Sequence, residues 1–202
     1  GGAFGPGVAA GQTASPKKNT AAANVKDLGL WGNGGTCAVK SDGLIDCWGV
    51  SWTVSANGHT TSLEMAAGWD HYCVLEVGGQ IWCAGTCSHG QCGQIRFTGN
   101  GHIFMQGLQI GYTALKTSHK NTCAVGWDGY PYCLGSNDNR QVDMYNPGSG
   151  WCADNDCFDT PHKMPGVNRV ADIGSSGDSS CMLQVGTGSV VCQNGFNIYG
   201  VC

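Results

Sequence analysis

Residues 67–85 read AGWDHYCVLEVGGQIWCAG, and the heart of this stretch, two cysteines enclosing a glycine-centred segment, occurs three more times. The copies are Cys37–Cys47, Cys73–Cys83, Cys123–Cys133 and Cys181–Cys192, with nine, nine, nine and ten residues between the cysteines. Each is predicted to be a β-hairpin. If the cysteines of a pair face one another, the first three copies are left with three-residue loops, Ser41-Asp42-Gly43, Val77-Gly78-Gly79 and Trp127-Asp128-Gly129. Such a loop is a type I turn followed by a left-handed residue, and that last position favours glycine because a Cβ is strained there. The fourth loop is one residue longer, Val185-Gly186-Thr187-Gly188. Counting outward from a three-residue loop puts the cysteines at a non-hydrogen-bonded pair, with α-carbons about 4.5 Å apart. A disulfide spans roughly 4.4–6.8 Å, so four cross-strand disulfides are expected.

Alternation along the strands assigns the faces. Cys37, Val39, Ile45 and Cys47 share one side, as do Cys73, Leu75, Ile81 and Cys83, and Cys181, Leu183, Val190 and Cys192. That apolar side is expected to be buried in every copy. Pro131 stands on it in the third copy and predicts a loosened, edge-like pairing there.

Composition sets the class. A chain of 202 residues is long enough for one domain with its own core. With 34 glycines, 12% charged residues and no apolar run at helical spacing, the chain is predicted to be all-β. Thirteen cysteines do not suit a reducing cytosol, and gaps of nine and ten do not match the short knuckles of zinc sites. A secreted, oxidising setting is expected. A formal charge of −4 argues against nucleic acid, which requires a basic face. No segment reaches the roughly 18 consecutive apolar residues of a membrane span. Residues 1–11, GGAFGPGVAAG, lack the basic start and apolar centre of a leader, so the chain reads as already processed.

Past Cys83 the second unit adds further signals. Gly68-x-x-His71-x-Cys73, Gly79-x-Ile81-Trp82-x-x-Gly85 and Gly90-Gln91-Cys92-Gly93 resemble the repeat of the regulator of chromosome condensation family of β-propellers, and the likeness extends over about Val25 to Cys202. Gly135-Ser136-Asn137 and Gly195-Phe196-Asn197 repeat its downstream part. The family usually has seven repeats and this chain has four, so the resemblance implies a four-bladed propeller. Its units are expected at about 25–62, 63–113, 114–168 and 169–202. Uneven spacing of 36, 50 and 58 residues between Cys37, Cys73, Cys123 and Cys181 fits a ring whose insertions lie in loops. Ser15-Pro16-Lys17-Lys18 before Val25-Lys26-Asp27 resembles Thr160-Pro161-His162-Lys163 before Val170-Ala171-Asp172. Residues 1–24 are therefore expected to lend a strand to the last unit and close the ring, with two chains forming one eight-bladed ring as the alternative. Open ends would leave strand edges prone to aggregation. The nucleotide exchange of the family's founding member is not carried over.

The remaining cysteines suggest local disulfides, Cys87–Cys92 and Cys152–Cys157. Cys202 is left over, a candidate for an intermolecular bond and a homodimer. His71 is expected to make a structural hydrogen bond to a neighbouring blade. No nucleophile motif is present, so neither an enzyme nor a cofactor is expected. Asp154, Asp156 and Asp159 could offer oxygen ligands to calcium, although the glycine and terminal glutamate of a calcium loop are missing. Trp48 and Trp82 are expected to pack between blades. Trp31, Trp52, Trp69, Trp127 and Trp151 lie in loop-like sequence and are candidate ligand contacts, because aromatic rings beside amides and carboxylates suit sugar faces. Core packing is the competing role for each. The expected function is a secreted, non-enzymatic, lectin-like recognition module for a glycan ligand. The alternative is a structural or protein-binding propeller joined through Cys202, including an inhibitor role, since secreted relatives of the family include a protein inhibitor of a bacterial hydrolase.

Overall fold

In the computed structural model, which describes residues 23–32, 34–49, 60–93, 98–104, 111–145, 156–177 and 179–193, the four cysteine repeats are antiparallel hairpins. Their first three turns close through Gly43, Gly79 and Gly129 at φ of +82°, +78° and +82°, the left-handed conformation that a three-residue loop demands. Cys37 faces Cys47, Cys73 faces Cys83, Cys123 faces Cys133 and Cys181 faces Cys192, and all four pairs are disulfide-bonded with α-carbons 4.0–4.1 Å apart.

Each hairpin sits in its own sheet. Blade 1 is β1 (Val25–Leu30), β2 (Thr36–Lys40) and β3 (Ile45–Trp48). Blade 2 is β4 (Ser62–Ala67), β5 (His71–Glu76), β6 (Ile81–Thr86) and β7 (Thr98–Phe104), side by side in that order. Blade 3 repeats this with β8 (Tyr112–Thr117), β9 (Asn121–Gly126), β10 (Pro131–Ser136) and β11 (Cys157–Lys163), and blade 4 comprises β12 (Val170–Ser176), β13 (Ser179–Gln184) and β14 (Val190–Gln193). The first strands of successive blades, β1, β4, β8 and β12, are neighbours in space, which places them innermost in a radial array, as in a β-propeller.

Stacking buries both faces of the inner blades. Cys37, Val39 and Ile45 of blade 1 pack on Met65, Tyr72, Val74 and Ala84 of blade 2. The cysteine face of blade 2 packs in the same way on Leu115, Ala124, Tyr132 and Leu134 of blade 3, and that of blade 3 on Ile173 and Met182 of blade 4. A cysteine face against the opposite face of the next blade is thus the unit of the core.

Two expectations fail. On blade 4, Leu183 and Val190 share the cysteine face yet are 39% and 64% exposed, while Met182 on the other side is fully buried. Alternation finds the apolar side, but burial requires a following blade, and none of the described residues supplies one. Nor is Pro131 at a loosened edge: β10 pairs with β9 on one side and β11 on the other. Pro131 is the first residue of β10 and faces Val125 at a non-hydrogen-bonded position, so β9 requires no N–H of it, and on the other side its carbonyl accepts from Met164 N at 3.1 Å just past the end of β11. The expected closing segment, residues 1–22, lies outside the described residues, and blade 1 is not among the blades seen packed on blade 4.

Candidate functional site

The zigzag of each blade sorts its connections to two ends. Loops 41–43, 77–79, 127–129 and 185–188 form the hairpin end. The turns at 31–35, 68–70 and 118–120, with segments 87–93 and 137–145 that follow the third strands, form the opposite, loop end.

The loop end is rigidly built. Gly49, Gly85 and Gly135 leave the third strands at φ of +113°, +112° and +113°, and a Cβ there would fall 2.2–2.5 Å from the carbonyl oxygens of Gly34, Asp70 and Lys120. This close crossing lets Thr86 N donate to Asp70 O at 2.7 Å and Ser136 N to Lys120 O at 3.1 Å. Segment 87–93 is then closed by the Cys87–Cys92 disulfide. Within it Gln91 accepts from His89 N at 2.8 Å and donates to Thr86 O at 2.7 Å. Segment 137–143 has the same shape without a disulfide. Asn137, in the place of Cys87, accepts from Val142 N and Asp143 N at 3.1 and 2.9 Å, and Gln141 repeats the role of Gln91 by accepting from Asn139 N at 2.9 Å.

One hydrogen-bond chain ties the loops to the core. Thr122 of blade 3 donates its hydroxyl proton to Gln91 O at 2.7 Å, leaving its oxygen to accept from His71 Nε2 of blade 2 at 3.0 Å. Burial pushes the His71 imidazole down from 6.5 to about 3, so it is neutral and structural.

The tryptophan candidates separate. Trp31 is a packing residue: its Nε1 donates to His71 O at 3.1 Å and its ring meets Tyr72 edge-on at 5.4 Å. Trp69, at the loop end, is 47% exposed, covers Gly32 and meets His119 edge-on at 5.2 Å. Trp127 is 62% exposed but covers Gly111 at the hairpin end. Trp69 and Trp127 therefore cannot line one pocket. Trp52 and Trp151 lie outside the described residues, as do Asp154, Cys152 and Cys202. Cys157 is disulfide-bonded. Asp156 gives one carboxylate oxygen to Asn137 and the other to Arg140 at 3.3 Å, and Asp159 lies on β11. Among the described residues no three acidic, histidine or cysteine side chains converge as a metal site.

A pair not foreseen from sequence ties the loop-end segment 137–145 to β11. Asp143 is buried, accepts from His162 Nε2 at 2.9 Å and from Tyr145 N at 2.8 Å, and His162 stacks on Phe158 at 4.3 Å. The carboxylate orients the imidazole as in a catalytic dyad, but no described hydroxyl or thiol is hydrogen-bonded to His162. Its evident effect is to fix the backbone beneath Tyr145, which is exposed beside Met144. Asp143 and His162 are nineteen positions apart, with no local motif to announce the pair.

No family model matches the chain, and no curated protein does. Solved structures do. Prp20p of Saccharomyces cerevisiae, described with its binding to Gsp1p and histones, superposes at a TM-score of 0.69 with 13% identity over 83% of this chain and 44% of that one. Human WBSCR16 gives 0.64 with 16% identity over 80% and 46%. The ectodomain of the Arabidopsis thaliana receptor kinase ACR4 gives 0.50 with 19% identity over 83% and 48%. This chain spans less than half the length of each. At these identities the likeness concerns the fold, which is a β-propeller of repeats like those of the regulator of chromosome condensation.

Proposed function

We propose that this propeller is a non-enzymatic recognition module whose ligand, a protein, docks on the loop end. The observation that carries the reading is the pairing of rigid loops with exposed aromatic and sulfur side chains. The disulfide of segment 87–93 and the Asn137 network of segment 137–143 hold the backbone, while Trp69, Met144 and Tyr145 stand exposed at the same end. Tryptophan, tyrosine and methionine are enriched at protein interfaces, and preorganised loops reduce the entropy lost on binding. Prp20p is a protein-binding propeller of this architecture. The five disulfides among the described residues and the likeness to a receptor ectodomain support an extracellular setting.

The lectin-like reading rests on Trp69 alone among the described loop-end candidates, whose half-exposed ring packs against Gly32 and offers its open side to a sugar. A panel of extracellular proteins and a glycan array, probed with the same labelled chain, separates the two. The expected result is saturable binding to a protein that Trp69→Ala and Tyr145→Ala each weaken at least tenfold and Trp127→Ala leaves unchanged. Glycan binding lost on Trp69→Ala would favour the lectin reading, and equal loss on Trp127→Ala would move the site to the hairpin end.

A further inference from the structure

The two outermost blades present unlike faces that match. At each of the three internal interfaces a cysteine face meets the opposite face of the next blade. Blade 4 leaves a cysteine face open, with Leu183 and Val190 exposed where the equivalent Leu75 and Ile81 are 1% exposed. On the opposite face of blade 1 Ala38 and Thr36 of β2 are buried, but the inner strand is open, with Leu28 52% exposed where the equivalent Met65, Leu115 and Ile173 are buried.

The inner strands carry a second, polar match. A bulge interrupts the first strand of every blade, and the residues after it are Asp27, Glu64, Ala114 and Asp172. Asp27 Oδ2 accepts from Met65 N of the next blade at 2.6 Å, and Glu64 Oε2 accepts from Leu115 N at 3.0 Å. Each carboxylate thus satisfies an amide that its own sheet leaves pointing at the axis. Ala114 has no carboxylate, and Ile173 N is served instead by its neighbour Asp172 Oδ1 at 2.8 Å. Among the described residues nothing donates to Asp172 Oδ2 on blade 4. Leu28 N, the equivalent amide of blade 1, belongs to a non-hydrogen-bonded pair with Ala38, and no described residue accepts from it.

We propose that a second copy of this chain supplies both missing neighbours. The cysteine face of blade 4 in each copy covers Leu28 and Leu30 of the other, Asp172 Oδ2 accepts from Leu28 N across the junction, and two chains close one eight-bladed ring with two equivalent junctions. The match to Prp20p favours this over closure within one chain, because 83% of this chain superposes on 44% of that longer one, an arc and not a whole ring. Closing four blades alone would need about 90° per blade, whereas closing eight needs about 45°.

The test is made in a Cys202→Ser background, so that no bond through that thiol can mimic the result. Sedimentation equilibrium is expected to show a dimer. Leu183→Lys with Val190→Lys, or Leu28→Lys with Leu30→Lys, should each shift the chain to monomer or to an open dimer dissociating at least a hundredfold more readily. A photo-crosslinker at position 190 should join the wild-type background to a peptide containing Leu28 of another chain, a readout that requires no disruptive variant. A monomer at all concentrations, a dimer indifferent to both lysine pairs, or crosslinks from position 190 to any other surface would overturn the proposal.

Discussion

At the scale of single residues, His71 shows how a repeat signature can be structural. It is wholly buried, its Nε2 is committed to Thr122, and its pKa falls from 6.5 to about 3 because burial disfavours the charged ring. Between those values the unfolded chain binds a proton that the folded chain refuses. Stability therefore rises with pH through this window and is lost as pH falls below 6.5, at up to roughly one kcal/mol per pH unit from this group. Urea melts with the disulfides intact should show His71→Gln to be less stable than wild type at pH 7, with the difference shrinking toward pH 4. A difference constant with pH would show that the imidazole does not titrate this way. Gly85 makes a sharper case, since a Cβ would lie 2.3 Å from Asp70 O, against backbone that cannot swing away. Gly85→Ala is expected to cost about 2–3 kcal/mol in the same melts, through positive φ and the collision together.

Among the elements, the hairpin was the most legible because everything that fixes it is local. Loop length, a glycine at the left-handed position and two cysteines at a non-hydrogen-bonded pair are all counted along the chain, and Cys37, Cys73, Cys123 and Cys181 meet the partners that such counting gives. The loops that follow were half legible. Cys87 and Cys92 announce a closure, but its counterpart around Asn137 depends on amide hydrogen bonds to Val142 and Asp143 that no spacing rule specifies. The two solutions should be exchangeable. Cys87→Ser with Cys92→Ser is expected to lose roughly 2 kcal/mol, the chain-entropy worth of so short a loop. Cys87→Asn with Cys92→Val, which copies the blade 3 solution, should recover about half of it. Thermal melts of the two double variants decide this, and equal losses would mean that the Asn137 arrangement depends on its wider setting, including Asp156. The dispersal of Trp31, Trp69 and Trp127 to a core and two opposite ends was not legible, because which end a loop occupies follows from strand order and not from the character of its residues.

For the whole molecule, the informative error is blade 4. Leu183 and Val190 have the pattern of buried residues and are not buried, because the next blade decides burial in a stacked array. Stability in such arrays is a sum of blade terms and nearest-neighbour terms, so an inner blade with two neighbours should outlast an outer blade with one. Native-state hydrogen exchange on dilute protein is expected to protect amides of β5, β9 and β10 most and those of β13 and β14 least. The carboxylate links between inner strands carry part of the coupling. Glu64 holds Leu115 N and pairs with Lys116, and Leu115 is fully buried. Glu64→Ala leaves that amide without its acceptor, a loss of about 1–3 kcal/mol, whereas Glu64→Gln keeps an oxygen in place and should retain most of the stability. The discriminating readout is the exchange rate of Leu115 itself. If the link couples blades, Glu64→Ala accelerates exchange in blade 3 beyond the change in blade 2, because the blade that loses its donor's partner is the one set loose. Equal acceleration in both would show the two blades opening as a single cooperative unit, with the carboxylate stabilising that unit and not the junction within it.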